Sequence, residues 1–235
     1  MKIVGIQKMT LLDYPGRVAC TVFLGGCNFR CPFCHNSELL DGTAQPVMTE
    51  QELLAFLEKR KGMLDGVCIT GGEPTLQKDL PELLTKIKAL GYAIKLDTNG
   101  YRPEILKALA GQGLVDYVAM DIKNSPHRYA ETAGVAQLEI ALIEESMAYL
   151  LSGAVDYEFR TTVVRPLHDT QAMEDIAKWI TKISPKKKAK RFFVQPFTDR
   201  DTVIFDGLQA PEKPELQAFQ GILEPCAEKV EIRGT

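Results

Sequence analysis

The chain has 235 residues, 45% of them hydrophobic and 25% charged, with a formal net charge of −3. That size allows one large domain with a substantial core, and the charge balance gives no general attraction to nucleic acid or an anionic membrane. No apolar run is long enough to span a bilayer, and Met1-Lys2-Ile3-Val4-Gly5 lacks the apolar stretch of a signal peptide. A cytoplasmic location is expected, where thiols stay reduced and clustered cysteines point to metal or redox chemistry.

Strands and helices alternate along the sequence. Residues 17–24 (RVACTVFL) form an apolar, β-branched strand that ends at Gly25-Gly26. Thr49 and Glu52 make a capping box, and Leu53, Leu54 and Leu57 follow at helical spacing. A short strand over 67–70 stops at Gly71-Gly72. The next helix has Pro81 near its start, an apolar face of Leu83, Leu84, Ile87 and Leu90, and Gly91 at the expected left-handed cap. A strand over 92–97 ends at Thr98-Asn99-Gly100, a helix covers 103–110, and a strand covers 117–121. Beyond these come a helix over about 138–151, a strand at 157–164, a helix at 172–183, a strand at 191–196, a helix at 211–223 and a last strand at 229–232. The polar loop 36–48 is expected to be mobile.

This order predicts an α/β fold: a parallel sheet with helices outside it, in a barrel or partial barrel. No repeat or linker interrupts it, so residues 1–235 are expected to form a single domain. In such folds the site gathers where strands end and βα loops begin. Four successive strand ends carry chemistry: the cysteines after the first, Gly71-Gly72-Glu73-Pro74 after the second, Asp97-Thr98-Asn99-Gly100 after the third and Asp121-Ile122-Lys123 after the fourth.

Cys27, Cys31 and Cys34 sit close enough in sequence to bind three irons of one cubane cluster. No fourth cysteine lies near, so one iron would stay open to substrate or cofactor; clusters that only carry electrons normally take four protein ligands. Zinc is a competing reading, but a structural zinc site wants four ligands, and His35 directly follows Cys34. A Cys31–Cys34 dithiol is another, and it leaves Cys27 surplus. The Gly71-Gly72-Glu73 turn offers backbone groups and one carboxylate, which suit an ammonium group, although an ordinary βα turn reads the same. Asp97, Thr98 and Asp121 are hard oxygen donors for a small cation or ribose hydroxyls, or simply helix caps. Lys123 can serve an anionic ligand group or lie in solvent. Lys186, Lys187, Lys188, Lys190 and Arg191 read as a solvated connection rather than a nucleic-acid site. Cys20, Cys68 and Cys226 read as small buried hydrophobes, Trp179 as core with Ile176, Ile180 and Ile183, and His127 and His168 as surface or capping residues.

Together these motifs resemble the radical S-adenosylmethionine (SAM) superfamily, whose hallmark is this cysteine spacing with an aromatic, here Phe33, before the last cysteine. Within it the chain is similar to activating enzymes of glycyl radical proteins. That likeness rests on Asp13-Tyr14-Pro15-Gly16, Cys34-His35-Asn36, Asp97-Thr98-Asn99-Gly100 and Asp121-Ile122-Lys123. Leu12 to Gly16 and Val194-Gln195-Pro196-Phe197 look like anaerobic ribonucleoside-triphosphate reductase activating proteins, with pyruvate formate-lyase activating enzyme a close relative.

The resemblance implies a partial (β/α)6 barrel, one [4Fe-4S] cluster, S-adenosylmethionine and a monovalent cation. It implies reductive cleavage of S-adenosylmethionine to methionine and a 5′-deoxyadenosyl radical. That radical takes hydrogen from a backbone glycine of a large glycyl radical enzyme, with a flavodoxin- or ferredoxin-type electron donor and neither nucleic acid nor membrane as partner. By the same resemblance Cys27, Cys31 and Cys34 hold the cluster and Phe33 and His35 flank the adenosine. Gly71, Gly72 and Glu73 hold the methionine amino group. Asp97, Thr98 and Asp121 match the cation site, and Lys123 and Arg160 lie near the methionine carboxylate. Asp13 would face the partner's glycine loop. The activase has a histidine where this chain has Thr198, which puts that contact in doubt. No second cysteine set lies between Cys34 and Gly71, so a single cluster is expected. A small-molecule radical SAM enzyme, such as a 7-carboxy-7-deazaguanine synthase, is the alternative.

Overall fold

The computed structural model describes residues 2–203 and 205–234. The chain divides into two compact units. The first comprises Met1–Asn28, Glu38–Thr98 and Glu104–Val118; the second comprises Phe29–Ser37, Asn99–Pro103 and Ala119–Thr235.

In the first unit, β1 (Ile3–Thr10) runs antiparallel to β2 (Ala19–Leu24). Beside β2 lie β3 (Gly66–Gly71) and β4 (Ala93–Thr98), both parallel to it. The predicted list lacks β1, and the reason is physical. Its pairing with β2 is broken twice by irregular register, and only Ile3 and Thr10 at its ends are buried, so no period-two pattern appears. The helices α1 (Glu50–Lys59) and α2 (Leu80–Ala89) present Leu53 and Leu57, and Leu80, Leu83, Leu84 and Ile87, to the core.

Local chemistry explains where α1 and α2 begin. Glu52 N–H donates to Thr49 Oγ1 at 3.2 Å and Thr49 N–H to Glu52 Oε2 at 2.7 Å, the reciprocal cap expected from the sequence. Pro81 sits in the first turn of α2, where a missing N–H costs nothing. The helix α3 (Pro103–Gly111) follows β4. The loop over 36–48, expected to be mobile, is fastened at several points. Leu39 and Leu40 are buried, and their carbonyls accept the amides of Gly26 and Cys27 at 2.6 and 3.1 Å.

β5 (Tyr117–Asp121) starts in the first unit and ends in the second. In the second unit β6 (Asp156–Val163), β7 (Phe192–Pro196) and β8 (Val230–Ile232) pair in parallel, in that order. Around them lie α4 (Tyr129–Ala133), α5 (Ile140–Ser152), α6 (Thr170–Ile183) and α7 (Lys213–Leu223). The Asp169 carboxylate caps α6 by accepting the Ala172 amide at 2.8 Å, so the helix starts earlier than residue 172. Trp179 is core, as its periodicity indicates, and its indole N–H finds Glu144 at 2.7 Å. Several of the basic residues before β7 tie down neighbouring chain: Lys187 and Lys188 donate to the carbonyls of Ser152 and Glu224 near the ends of α5 and α7. Among the described residues no helix is long and apolar enough to cross a membrane.

Candidate active site

The first unit brings together the approach to Cys27 and the glycine turn after β3. Gln77 Nε2 donates to the Gly25 carbonyl at 2.8 Å, and Glu73 N–H donates to the Gly26 carbonyl at 2.8 Å. Gly71 has φ +122, a region that favours glycine. A Cβ on Gly72 would collide with the Gly26 carbonyl, so only glycine lets the two turns approach this closely. The Glu73 side chain is 1% exposed. Its Oε1 accepts from Thr75 N–H at 3.1 Å, Thr75 Oγ1 at 2.6 Å and Thr98 Oγ1 at 2.8 Å. One carboxylate oxygen is thereby fixed by three donors, which locks the orientation of the charge.

Asp97 and Thr98, consecutive on β4, serve different partners. Thr98 turns to Glu73, whereas Asp97 accepts from the buried Lys95 ammonium. Cys68 on β3 lies 3.7 Å from Asp97 Oδ1 and 3.8 Å from Lys95 Nζ. Cys68 is buried as expected, but among charged groups rather than as a simple hydrophobe. Asp13 Oδ2 accepts the Thr21 hydroxyl at 2.5 Å, which ties the Asp13–Gly16 segment to β2.

The second unit holds Cys31 and Cys34. Their turn is closed by the Cys34 amide on the Cys31 carbonyl at 3.1 Å, and Arg30 N–H reaches the Ala133 carbonyl at the end of α4 at 2.8 Å. Phe29 packs on Tyr101 and Tyr129, with ring centroids 5.5 and 6.5 Å away. Cys31 is 8% exposed. Burial pushes its thiol up to about 11, while the Lys123 ammonium pulls the other way. Binding metal at Cys31 must therefore release a proton.

Asp121 sits between two cations: Lys123 Nζ donates to Oδ2 at 2.8 Å, and Arg160 Nε donates to Oδ1. Burial would raise the Asp121 pKa, but Arg160 and Lys123 outweigh it and hold the carboxyl well below its usual range. Burial would likewise lower Lys123, and Asp121 outweighs it and raises the ammonium. Arg160 on β6 is therefore brought to Asp121 and Lys123 by strand pairing, seen also in the Ile122 amide on the Arg160 carbonyl at 2.8 Å.

His35 stacks on Phe197 with centroids 5.7 Å apart, and its Nε2 lies 2.7 Å from the Thr198 carbonyl. Position 198 thus holds His35 through its backbone, a role any residue can fill. Burial lowers the His35 pKa. Phe33 is buried with its ring edge toward His168, 6.3 Å between centroids. His168, expected at the surface or in a cap, is 2% exposed. Its Nδ1 accepts the Val164 amide at 3.2 Å, and Nε2 donates to the Lys123 carbonyl at 2.8 Å. It therefore braces both Phe33 and Lys123. Its sequence signal was weak: a lone histidine in a loop after a strand.

A sequence profile of the Radical SAM superfamily matches residues 21–183. The chain belongs to the radical SAM superfamily. A Methanocaldococcus jannaschii protein named as a glycyl-radical enzyme activating enzyme is 32% identical over 236 residues, covering 97% of this chain and 94% of that protein. The pyruvate formate-lyase-activating enzyme of Clostridium pasteurianum is 36% identical over 132 residues, 52% of each chain. These relatives place this radical SAM enzyme in the glycyl-radical activase family. A crystallised domain of pyruvate-formate lyase-activating enzyme from Bacteroides vulgatus superposes with a TM-score of 0.58 at 19% identity, over 72% of this chain and 99% of that one. That likeness concerns the fold, the partial (β/α)6 barrel.

Family membership implies a [4Fe-4S] cluster and S-adenosylmethionine, and the donor chemistry within each unit suits them, although among the described residues no group of three metal-ligating side chains is gathered. No disulfide occupies any of the six cysteines among the described residues, so the thiols at 27, 31 and 34 are chemically available as ligands. The buried, oriented Glu73 carboxylate beside two glycines suits an ammonium group. A monovalent cation fits less well: the carboxylates of both Asp97 and Asp121 already hold side-chain cations.

Proposed function

We propose that this radical SAM enzyme activates a glycyl radical enzyme by taking hydrogen from a backbone glycine of that partner, and that the partner is an anaerobic ribonucleoside-triphosphate reductase. Cys27, Cys31 and Cys34 would hold one cluster, with the two units acting as one catalytic domain. Gly71, Gly72 and Glu73 would hold the methionine ammonium, Lys123 and Arg160 its carboxylate, and Phe33 and His35 the adenosine. When bound, the reduced cluster and S-adenosylmethionine together supply the one-electron cleavage and the hydrogen abstraction. The protein's share is orientation: Glu73 fixed by three donors, Lys123 braced by His168 and Asp121, and Phe33 held against His168. The reductive step calls for a one-electron donor of the flavodoxin or ferredoxin type. Six cysteines without a disulfide accord with a reducing, cytoplasmic setting.

The observation that carries this reading is the clasp of Glu73 N–H on the Gly26 carbonyl. It joins the residue before a cluster cysteine to the carboxylate that would take the ammonium. The test is electron paramagnetic resonance after anaerobic reconstitution, with S-adenosylmethionine, reductant and the candidate reductase. A glycine-centred doublet on the reductase is expected. Consumption of a small molecule, with no doublet on any glycyl radical enzyme, would overturn the proposal in favour of the deazaguanine-type alternative.

A further inference from the structure

Lys95 stands on β4 two residues before Asp97, on the same face of the strand. It is 1% exposed, and its ammonium donates to Asp97 Oδ1. Parallel register sets it beside Cys68, whose thiol lies 3.8 Å from Nζ. Buried lysines are almost always paired, and this one spends its charge on the carboxylate that most resembles a cation ligand. In the second unit Asp121 faces two cations, Lys123 and Arg160, and so carries no surplus negative charge either.

From this geometry we propose that Lys95 is a built-in countercharge that takes the place of a free monovalent cation at Asp97. The enzyme then needs no Na⁺ or K⁺ at that position. The ammonium is tethered to the strand that carries Asp97, so its effective concentration at the carboxylate exceeds that of an ion drawn from solution. A free cation arriving there would meet a carboxylate already paired with a buried ammonium, and would lose hydration next to a like charge. Cys68 offers a thiol in the same pocket, a softer group than the oxygens that hard cations select. The opposite arrangement, with an uncharged residue at 95, would remove this countercharge from the partly buried carboxylate and make room for an outside ion.

The proposal concerns the site of the proposed function, but its test needs no turnover. The apo protein is melted in KCl, NaCl and choline chloride at equal ionic strength. The wild-type midpoints are expected to coincide, and ²³Na resonances are expected to show no broadening from protein-bound ions. Lys95→Met and Lys95→Gln are expected to melt lower in choline and to recover saturably in K⁺ or Na⁺. A wild-type midpoint that rises selectively in K⁺ or Na⁺, or broadened ²³Na resonances, would overturn the proposal. So would a folded Lys95→Met with no cation-selective response. Should neither variant fold, the wild-type measurements decide alone. Failure of the activase reading would leave all these melts unchanged and appear only in the paramagnetic resonance experiment.

Discussion

Gly72→Ala is the sharpest probe of how the cysteine loop and the glycine turn are joined. The added Cβ would fall on the Gly26 carbonyl oxygen and carbon, with the Cys27 amide nitrogen also near. Every atom it meets is backbone, so no side chain can swing away. Overpacking of this kind costs about 1–3 kcal/mol. Separating the turns also lengthens the Glu73 N–H to Gly26 carbonyl bond, now 2.8 Å, whose loss adds about 1 kcal/mol. The sum of about 2–4 kcal/mol corresponds to a melting point lower by about 4–16 °C for a chain of this size. Gly221→Ala is the matched control. A Cβ there meets nothing within 4 Å and the residue lies inside α7. It should be neutral or stabilise by up to about 1 kcal/mol. Circular dichroism melts of both apo variants, with iron content after reconstitution, provide the assay. The reasoning fails if Gly72→Ala melts with wild type and binds a full complement of iron.

Three further outcomes follow from the same contacts. Brief alkylation of the folded apo protein at neutral pH should label Cys27 and Cys34 well before Cys20 and Cys226, which are buried with thiols pushed up to about 12; rapid labelling of the latter pair would contradict their burial. Burial lowers the His168 pKa, so its contribution to stability is full above the ordinary histidine value near ~6.5 and is lost as pH falls toward the folded value. Urea melts should therefore show a smaller loss between pH 7.5 and 5.0 in His168→Gln than in wild type, and an equal loss would sink the idea. Arg233 grips the fully buried Glu158 through two bonds of 2.8 and 3.1 Å and stacks 3.4 Å over Phe193, so Arg233→Met should cost about 3 kcal/mol in denaturant melts, and a change near zero would show the pair to be dispensable.

What the sequence discloses here is local, and what it hides is set by register. The α1 cap needs only Thr49 and Glu52, three residues apart, and it forms as read. The strand-end motifs at 71–73, 97–98 and 121–123 need only a strand followed by a turn. By contrast, β1 depends on pairing with β2 through two irregularities, and nothing within Ile3–Thr10 announces that. The short α4 is a five-residue helix whose importance lies in holding Arg30, a contact between residues 103 positions apart. His168 reaches Lys123 across 45 residues, so no window along the chain contains both.

The charges around the strand ends show the same division in finer detail. Read as a list, Asp97, Thr98 and Asp121 look like three donors for one ion. Read with the strand's period of two, they separate. Asp97 shares its face with Lys95, and Thr98 points the other way, to Glu73. The Lys-x-Asp spacing on β4 was therefore a legible sign that this acid brings its own cation. The Asp-x-Lys spacing of Asp121 and Lys123 is the same sign in mirror order. Arg160 carries no such sign, because only the pairing of β6 delivers it. An acid at a strand end is thus a candidate ion ligand only after its neighbours two residues away have been counted. By that count, Glu73, unlike Asp97 and Asp121, has no lysine or arginine two places to either side. That makes it the acid best suited to receive a positive charge from a ligand rather than from the chain.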